Sequence, residues 1–431
     1  MKVPFQTGKG AAMTEEARKR YEEKTKRFYT TVDHKEPDRV PIQTGGEMFS
    51  IMQLGYTVKD CIYDKTMMKA KEAAEKFMLT YDPDTQSGLC SYAGEGEIME
   101  LVSPKYMIWS GRPGYNISDN SIQQFQERPT LHDEDLDQFF DDNGTWRLNK
   151  CQPYLCDLYE PMKNFKIPFS SRTPSALAEE LSKPEIKEMI QKCWKLNDMI
   201  QESRKIRAQR MKELSELGFL ATFGGKACVP YDEWGDEYRG SLDCLTDLYE
   251  NREYVERFIE ADQEQMLAKI KSWNPDGSRD GKTVMMTLHR GMDGFLSDKD
   301  YRDIYWKHLQ QIIEAIMAQN MIPDVFCEGN YATRLDLLKD IPKGRIIYTF
   351  EYTPAELVKK ELGDIATICV GLRTAMLNFN TREQVVDEVK RFIDVCAPGG
   401  GYIFRTTSGI DFAKKENVEA MFDTLHNYGR K

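Results

Sequence analysis

Four apolar runs in the second half of the chain organise the reading: residues 283–289 (TVMMTLH), 321–328 (MIPDVFCE), 345–351 (RIIYTFE) and 366–373 (ATICVGLR). Each ends in polar, chemically capable side chains, and a helix-length segment separates each from the next. Buried parallel strands read as short apolar runs rather than alternating ones, and a parallel pair needs a crossover of a dozen or more residues, usually helical. The pattern predicts a repeated βα unit. In a barrel of such units the active site lies at the C-terminal edge of the strands, so His289, Glu328, Glu351 and Arg373 are placed to converge.

Four more strand candidates complete the set. The first is 39–44 (RVPIQT), after a charged helix over about 14–29. The second is 88–93 (GLCSYA), after a helical segment at 65–79. The third is 219–223 (FLATF), and 401–406 (GYIFRT) closes the series. Eight is the number of a TIM-type barrel, so the predicted class is α/β, a (β/α)8 barrel occupying residues 1–431 as one domain. Between strands two and three lies a helical insertion at about 100–215, far longer than an ordinary βα loop. It begins as a loop rich in Pro, Gly, Asp and Asn (110–149). A long amphipathic helix follows, with Pro184 in its first turn and Gly218 past its end. Leaving the C-terminal edge of strand two, the insertion reads either as a lid over the barrel mouth or as a surface pairing two copies into a homodimer.

Composition narrows the partners. Lys and Arg total 59 against 70 Asp and Glu, a formal charge of −11 with no basic cluster, which argues against nucleic acid or an anionic membrane. No apolar run approaches the roughly 18 residues of a membrane span. The ten cysteines are irregularly spaced with no C-x-x-C pair, and the first residues lack the apolar core of a signal peptide. They are read as reduced thiols of a cytoplasmic protein.

Several stretches make the chain resemble the uroporphyrinogen decarboxylase superfamily. These are DRVPI at 38–42, PYDEWGDEYRG at 230–240, FLSDKDYRDIYWKHLQQIIEA at 295–315, EGNYATRL at 328–335 and GGGYIF with SGI between 399 and 410. The resemblance spans most of residues 30–428, the insertion least, and implies an eight-stranded barrel with its site at the strand C-termini. True uroporphyrinogen decarboxylases carry an RQAGR-like segment after the first strand, for substrate carboxylates, and a histidine in a final GHG turn. Here those places read Thr44-Gly45-Gly46-Glu47-Met48 and Thr407-Ser408-Gly409, so the resemblance points away from porphyrinogen decarboxylation.

A second branch of the superfamily comprises methyltransferases that exchange methyl groups with a cobalamin-binding corrinoid protein, using zinc held by an H-x-C pair and a later cysteine. Aligned on Gly329, this chain places Phe326 and Glu328 at the pair, and Ser408 or Gly409 near the later cysteine. The thiolates are missing. The chain is more similar to a subset, including aryl methyl ether demethylases, in which zinc is bound through carboxylates and histidine. The resemblance thus implies zinc on His289, Glu328 and Glu351, with Cys369 as an alternative ligand, and a corrinoid carried by a separate partner. A Glu/Glu/His set suits zinc with an open position that polarises a substrate oxygen.

Each residue also has a plainer reading. Glu328 can be a strand-end carboxylate paired with Arg334, and Glu351 a helix-start acid favoured by the dipole. His289 can be a hydrogen-bonded interior histidine, and Cys369 a small buried side chain. Arg290, Arg334, Arg373 and Arg405 all fall at or just beyond strand ends, where guanidinium forks suit a carboxylate substrate such as a methoxybenzoate, unless internal ion pairs consume them. Tyr331, within EGNYATRL, joins this substrate-binding set. Asp232 joins Glu328 and Glu351 as a catalytic candidate, while Asp236 and Arg239 match the same family stretch; loop-fixing bonds are the alternative for all three. Gly399-Gly400-Gly401 precedes a strand and reads as a turn. Gly224-Gly225-Lys226 is a weak phosphate-loop signal, and Trp109, Trp234 and Trp306 read as core.

Three functions are expected in this order: a methyltransferase taking a methyl group from a small methoxylated aromatic donor to a corrinoid protein, a decarboxylase or other lyase, and a non-catalytic small-molecule binder.

Overall fold

A computed structural model describes residues 13–166, 174–342 and 344–429. Apart from a hairpin in the insertion (β1, Met107–Ile108; β2, Gln124–Phe125), the strands make one parallel sheet. Its order is β3 (Phe223–Lys226), β4 (Thr283–Leu288), β5 (Ile322–Cys327), β6 (Ile347–Phe350), β7 (Thr367–Val370) and β8 (Tyr402–Phe404). Every residue of β6, β7 and β8 is buried, as expected where helices cover the outer face and packed side chains fill the inner one. Strands β4 to β8 coincide with the fourth to eighth expected from the apolar runs, whereas β3 meets the expected 219–223 only at Phe223, since Leu220 of that run is spent on a single bridge to Thr85.

The first two expected strands are reduced to single bridges. Ile42 pairs in parallel with Phe404, the Asp84 N–H donates to the Ile42 carbonyl at 2.8 Å, and Thr85 bridges Leu220. The sheet is thus carried round from β8 to β3 by short contacts rather than by regular ladders. Pro41 has no N–H to give a ladder. The second segment lies at 84–86, not at 88–93. Leu89, Cys90 and Ala93 are buried, but beneath helices Met68–Tyr81 and Pro184–Ser215 instead of in the sheet. Apolar content marked burial there and misplaced the strand. The true segment carries a fully buried charge: Asp84 accepts from Arg27, from Arg39 at 2.6 Å and from the Ile42 N–H at 2.8 Å. Burial pushes its carboxyl up, but Arg39, Lys24 and Arg27 outweigh that and hold it below its usual range.

Within the insertion the long helix runs Pro184–Ser215, close to expectation. Gly218 follows at φ +84°, and a side chain there would lie 2.0 Å from the Ala17 carbonyl, so the turn admits only glycine. The expected loop at 110–149 is not all loop. Helical turns Leu136–Asp141 and Asn143–Trp146 bury Leu136, Phe139 and Trp146 in the main core, with Phe139 5.0 Å from the rings of both Trp146 and Tyr238. The Asp, Asn and Gly between those apolar residues hid the helices. No helix among the described residues is long and apolar enough to cross a membrane, and all ten cysteines are free.

Candidate active site

Strand register creates the site. Leu288 pairs with Cys327, and Cys327 with Phe350, so the residues that follow, His289, Glu328 and Glu351, leave three neighbouring strands side by side at one edge. Their contacts agree. His289 Nδ1 lies 2.6 Å from Asp236 Oδ2, and Nε2 lies 3.8 Å from Glu328 Oε2. Glu351 Oε2 accepts the Gly329 N–H at 2.9 Å, which ties the end of β6 to the turn after β5. The Asp236 hydrogen bond raises the His289 imidazole, with burial opposing. Burial raises the Glu328 carboxyl; His289 opposes that shift, while Glu351 and Asp236 add to it.

Asp232 and Asp236 come from the PYDEWGDEYRG stretch, helix Pro230–Glu233 continued by a wider π turn over Trp234–Arg239. Proline begins the helix where its missing N–H costs nothing, and the π turn brings both aspartates to the end of β4. Asp232, 2% exposed, accepts the backbone N–H groups of His289 (3.1 Å) and Arg290 (2.9 Å) and the Tyr305 hydroxyl (2.5 Å). These donors favour its charged form. Burial outweighs them and pushes the carboxyl up to about 6. Arg290 donates to Asp236 at 2.6 Å across the face of Gly235, where any side chain would meet the guanidinium at 2.3 Å. Burial alone would raise Asp236, but bonds from His289 and Arg290 hold it low.

An ionised Asp236 assigns the proton to Nδ1 and leaves Nε2 as a lone pair directed toward Glu328. A carboxylate behind a histidine is also the usual partner of a metal-ligating imidazole. In donor type and ring orientation the His289–Glu328 pair therefore fits zinc, with Glu351 as the next carboxylate. Among the described residues no three of His, Cys, Asp and Glu are already gathered into a cation site. Cys369 is fully buried on β7, its thiol pushed up to about 11 by burial.

The four strand-end arginines separate into two groups. Arg290 is tied to Asp236. Arg334, 3% exposed, donates to Asp298 (2.5 Å) and the Leu296 carbonyl (2.7 Å) and lies over Tyr301; it does not pair with Glu328. Arg405 reaches Asp324 at 3.2 Å and Thr349 at 3.0 Å. Arg373 alone has no carboxylate partner among the described residues. It lies 4.9 Å over the Tyr352 ring, in a cleft of about 540 Å³ that Glu351 also lines. Tyr331 is fully buried, its hydroxyl on the Leu288 carbonyl at 3.2 Å. Arg239 is bound to Asp247 and Asp133, and the three tryptophans singled out, Trp109, Trp234 and Trp306, are core.

Tyr305 was missed by sequence reasoning. It lies in a helical stretch of mixed charged and aromatic residues, DKDYRDIYWKH at 298–308, and nothing local marks its hydroxyl as the partner of an aspartate 73 residues away.

The fold and site define a parallel α/β barrel protein with an acid–histidine network at its strand ends. Residues 234–428 match the family model described as uroporphyrinogen decarboxylase. A uroporphyrinogen decarboxylase of Azoarcus sp. (strain BH72) is 23% identical over 155 residues, a stretch covering 32% of this chain and 39% of that relative's length. A methyltransferase from Methanosarcina mazei shares the fold, with a TM-score of 0.56 at 12% identity over 94% of this chain and 98% of that one. The likeness to the uroporphyrinogen decarboxylase family thus lies in residues 234–428, which carry β4 to β8 and His289, Glu328 and Glu351.

Proposed function

We propose that this chain is a methyltransferase that moves a methyl group from a small methoxylated aromatic donor to the cobalt of a separate corrinoid protein. The observation that carries the reading is the placement of His289, Glu328 and Glu351 on one barrel edge with the imidazole oriented by Asp236 at 2.6 Å. Thr44-Gly45-Gly46-Glu47 stands where the family's carboxylate-binding arginines would be, which weighs against a porphyrinogen substrate.

Zinc is the cofactor this set suits, held by Nε2 of His289 and carboxylate oxygens of Glu328 and Glu351; when bound it supplies Lewis acidity toward a substrate oxygen. Asp236 fixes the neutral tautomer with its proton on Nδ1 and turns Nε2 toward Glu328. Glu328 stands 3.8 Å from Nε2, the second donor on the same strand edge. In balance, the aryl O–CH₃ bond would break, the methyl carbon would pass to the Co(I) electron pair of the corrinoid substrate, and the aryl oxide would keep the C–O pair and take its proton from solvent. Arg373, without an acid partner, receives a substrate carboxylate. No thiol is consumed.

Incubation with a reduced corrinoid protein and a panel of methoxybenzoates is expected to convert the Co(I) spectrum to methyl-Co(III). The family match favours one other reading, a lyase acting on a small carboxylate. Carbon dioxide release with no methyl transfer from any methoxylated compound would establish that reading instead.

A further inference from the structure

The loops after the first and eighth strand segments enclose a recess that the proposed chemistry does not use. The Ile410 N–H donates to the Gly45 carbonyl at 3.2 Å and the Phe49 N–H to the Ile410 carbonyl at 3.0 Å. That closure presses Glu47 against Gly409, where a side chain would lie 2.0 Å from Glu47 Cγ. Glu47 has φ +32°, a region few residues other than glycine occupy. Such a conformation persists only where its surroundings enforce it, and it gathers at functional sites. The Glu47 carboxylate has no hydrogen-bond or ion-pair partner among the described residues; the one charged group acting on it is Asp411, of the same sign. It is open to solvent on one side, and burial and Asp411 together still raise its carboxyl, as expected in a recess.

A second observation comes from the neighbouring segment. Ser87 is 8% exposed and its Oγ is buried without a partner, as is Gln43 Oε1. A side chain built at Gly45 would lie 3.5 Å from Glu47 Oε1 and 3.9 Å from Ser87 Oγ, with no other contact within 4 Å beyond its chain neighbours. The carboxylate and the hydroxyl therefore border one vacant space that glycine leaves open. Buried polar groups are ordinarily hydrogen-bonded, so the unpartnered Ser87 hydroxyl beside the exposed, unpaired Glu47 carboxylate calls for a ligand.

We propose that this recess binds the hydroxyl group of a phenolic ligand, whose O–H donates to the Glu47 carboxylate and whose oxygen accepts from the Ser87 hydroxyl. A hydroxyl is singled out because it donates and accepts at once. An ammonium group satisfies Glu47 but cannot accept from Ser87. A carboxylate cannot donate and meets the charges of Glu47 and Asp411. Strand order sets this recess, at the first, second and eighth segments, across the mouth from His289, Glu328 and Glu351. It would anchor the end of the ligand remote from the transferred methyl. The aromatic nature of the ligand rests on the function proposed above.

The test is calorimetric titration of the whole protein with 4-methoxyphenol, hydroquinone and 1,4-dimethoxybenzene, in wild type, Glu47→Gln and Ser87→Ala. Wild type is expected to bind both hydroxylated probes about tenfold more tightly than the dimethoxy compound, one buried hydrogen bond's worth. Either variant should erase that preference while melting at the wild-type temperature. Equal affinities, no binding of the hydroxylated probes, or a preference that survives in both variants overturns the assignment. A hydroxyl preference without methyl transfer to the corrinoid protein would leave this site standing and remove the proposed function. Methyl transfer without the preference would do the reverse.

Discussion

His289 stands between two carboxylates, with Nδ1 2.6 Å from Asp236 and Nε2 3.8 Å from Glu328. The shorter contact holds the ring and its tautomer; the longer one leaves room at Nε2. A substrate atom or a metal would enter on that second side.

The first prediction concerns the Asp236 hydrogen bond, which raises the imidazole above its ordinary 6.5. A raised histidine stabilises the fold fully below the unfolded value, and that contribution is lost as pH rises through the folded value. In Asp236→Asn the imidazole should titrate at lower pH, and the limb of the pH–rate profile on which Nε2 loses its proton should move the same way. NMR titration of the ring protons in chelator-treated, metal-free protein reads the shift directly; an unmoved titration would show that Asp236 does not set the state of His289.

Metal content provides the second. Purified protein should carry about one zinc per chain, and His289→Ala, Glu328→Ala and Glu351→Ala should each lower it. Asp236→Asn should weaken retention about 10–100-fold through loss of the orienting carboxylate. Cys369→Ala should leave zinc unchanged, because that thiol is enclosed in the sheet. Elemental analysis decides, and zinc unaffected by the carboxylate variants would refute the ligand assignment.

Asp232 is expected to be a stability determinant as well as part of the site. Asp232→Ala leaves two backbone N–H groups and the Tyr305 hydroxyl buried without acceptors, a loss of about 3–5 kcal/mol. Asp232→Asn should cost less, since an amide oxygen still accepts. Urea unfolding of the two variants against wild type measures the difference; similar midpoints for all three would show that the network contributes little.

The arginines should divide by function. Arg373→Ala is expected to raise KM for a methoxybenzoate about tenfold, with little change for its neutral methyl ester and none in melting temperature. Arg334→Ala should lower the melting temperature instead, by opening the contacts to Asp298 and Leu296. Steady-state kinetics on the acid and ester, beside a thermal melt, distinguish the two. A KM for the acid that Arg373→Ala leaves unmoved would release that residue from substrate recognition.

Much of the barrel was legible along the chain, because a strand buried on both faces must be mainly apolar and so writes a short apolar run, even where one polar residue such as Asp324 interrupts it. That is how 283–288, 322–327, 347–350 and 367–370 disclosed themselves, and why His289, Glu328 and Glu351 could be set at one edge before any contact was known. The segment at 84–86 was illegible for the opposite reason: its key residue is a carboxylate, tolerated in the core only because Arg27 and Arg39 fold back onto it. Tertiary structure alone decided that Asp236, 53 residues from His289, orients the imidazole, and that Arg334 and Arg405 are taken up by acids while Arg373 is not. Hydrophobic burial is a property each residue carries with it, so it leaves a periodic trace in sequence. A hydrogen bond or an ion pair belongs to two residues brought together by the fold, and neither partner records the other.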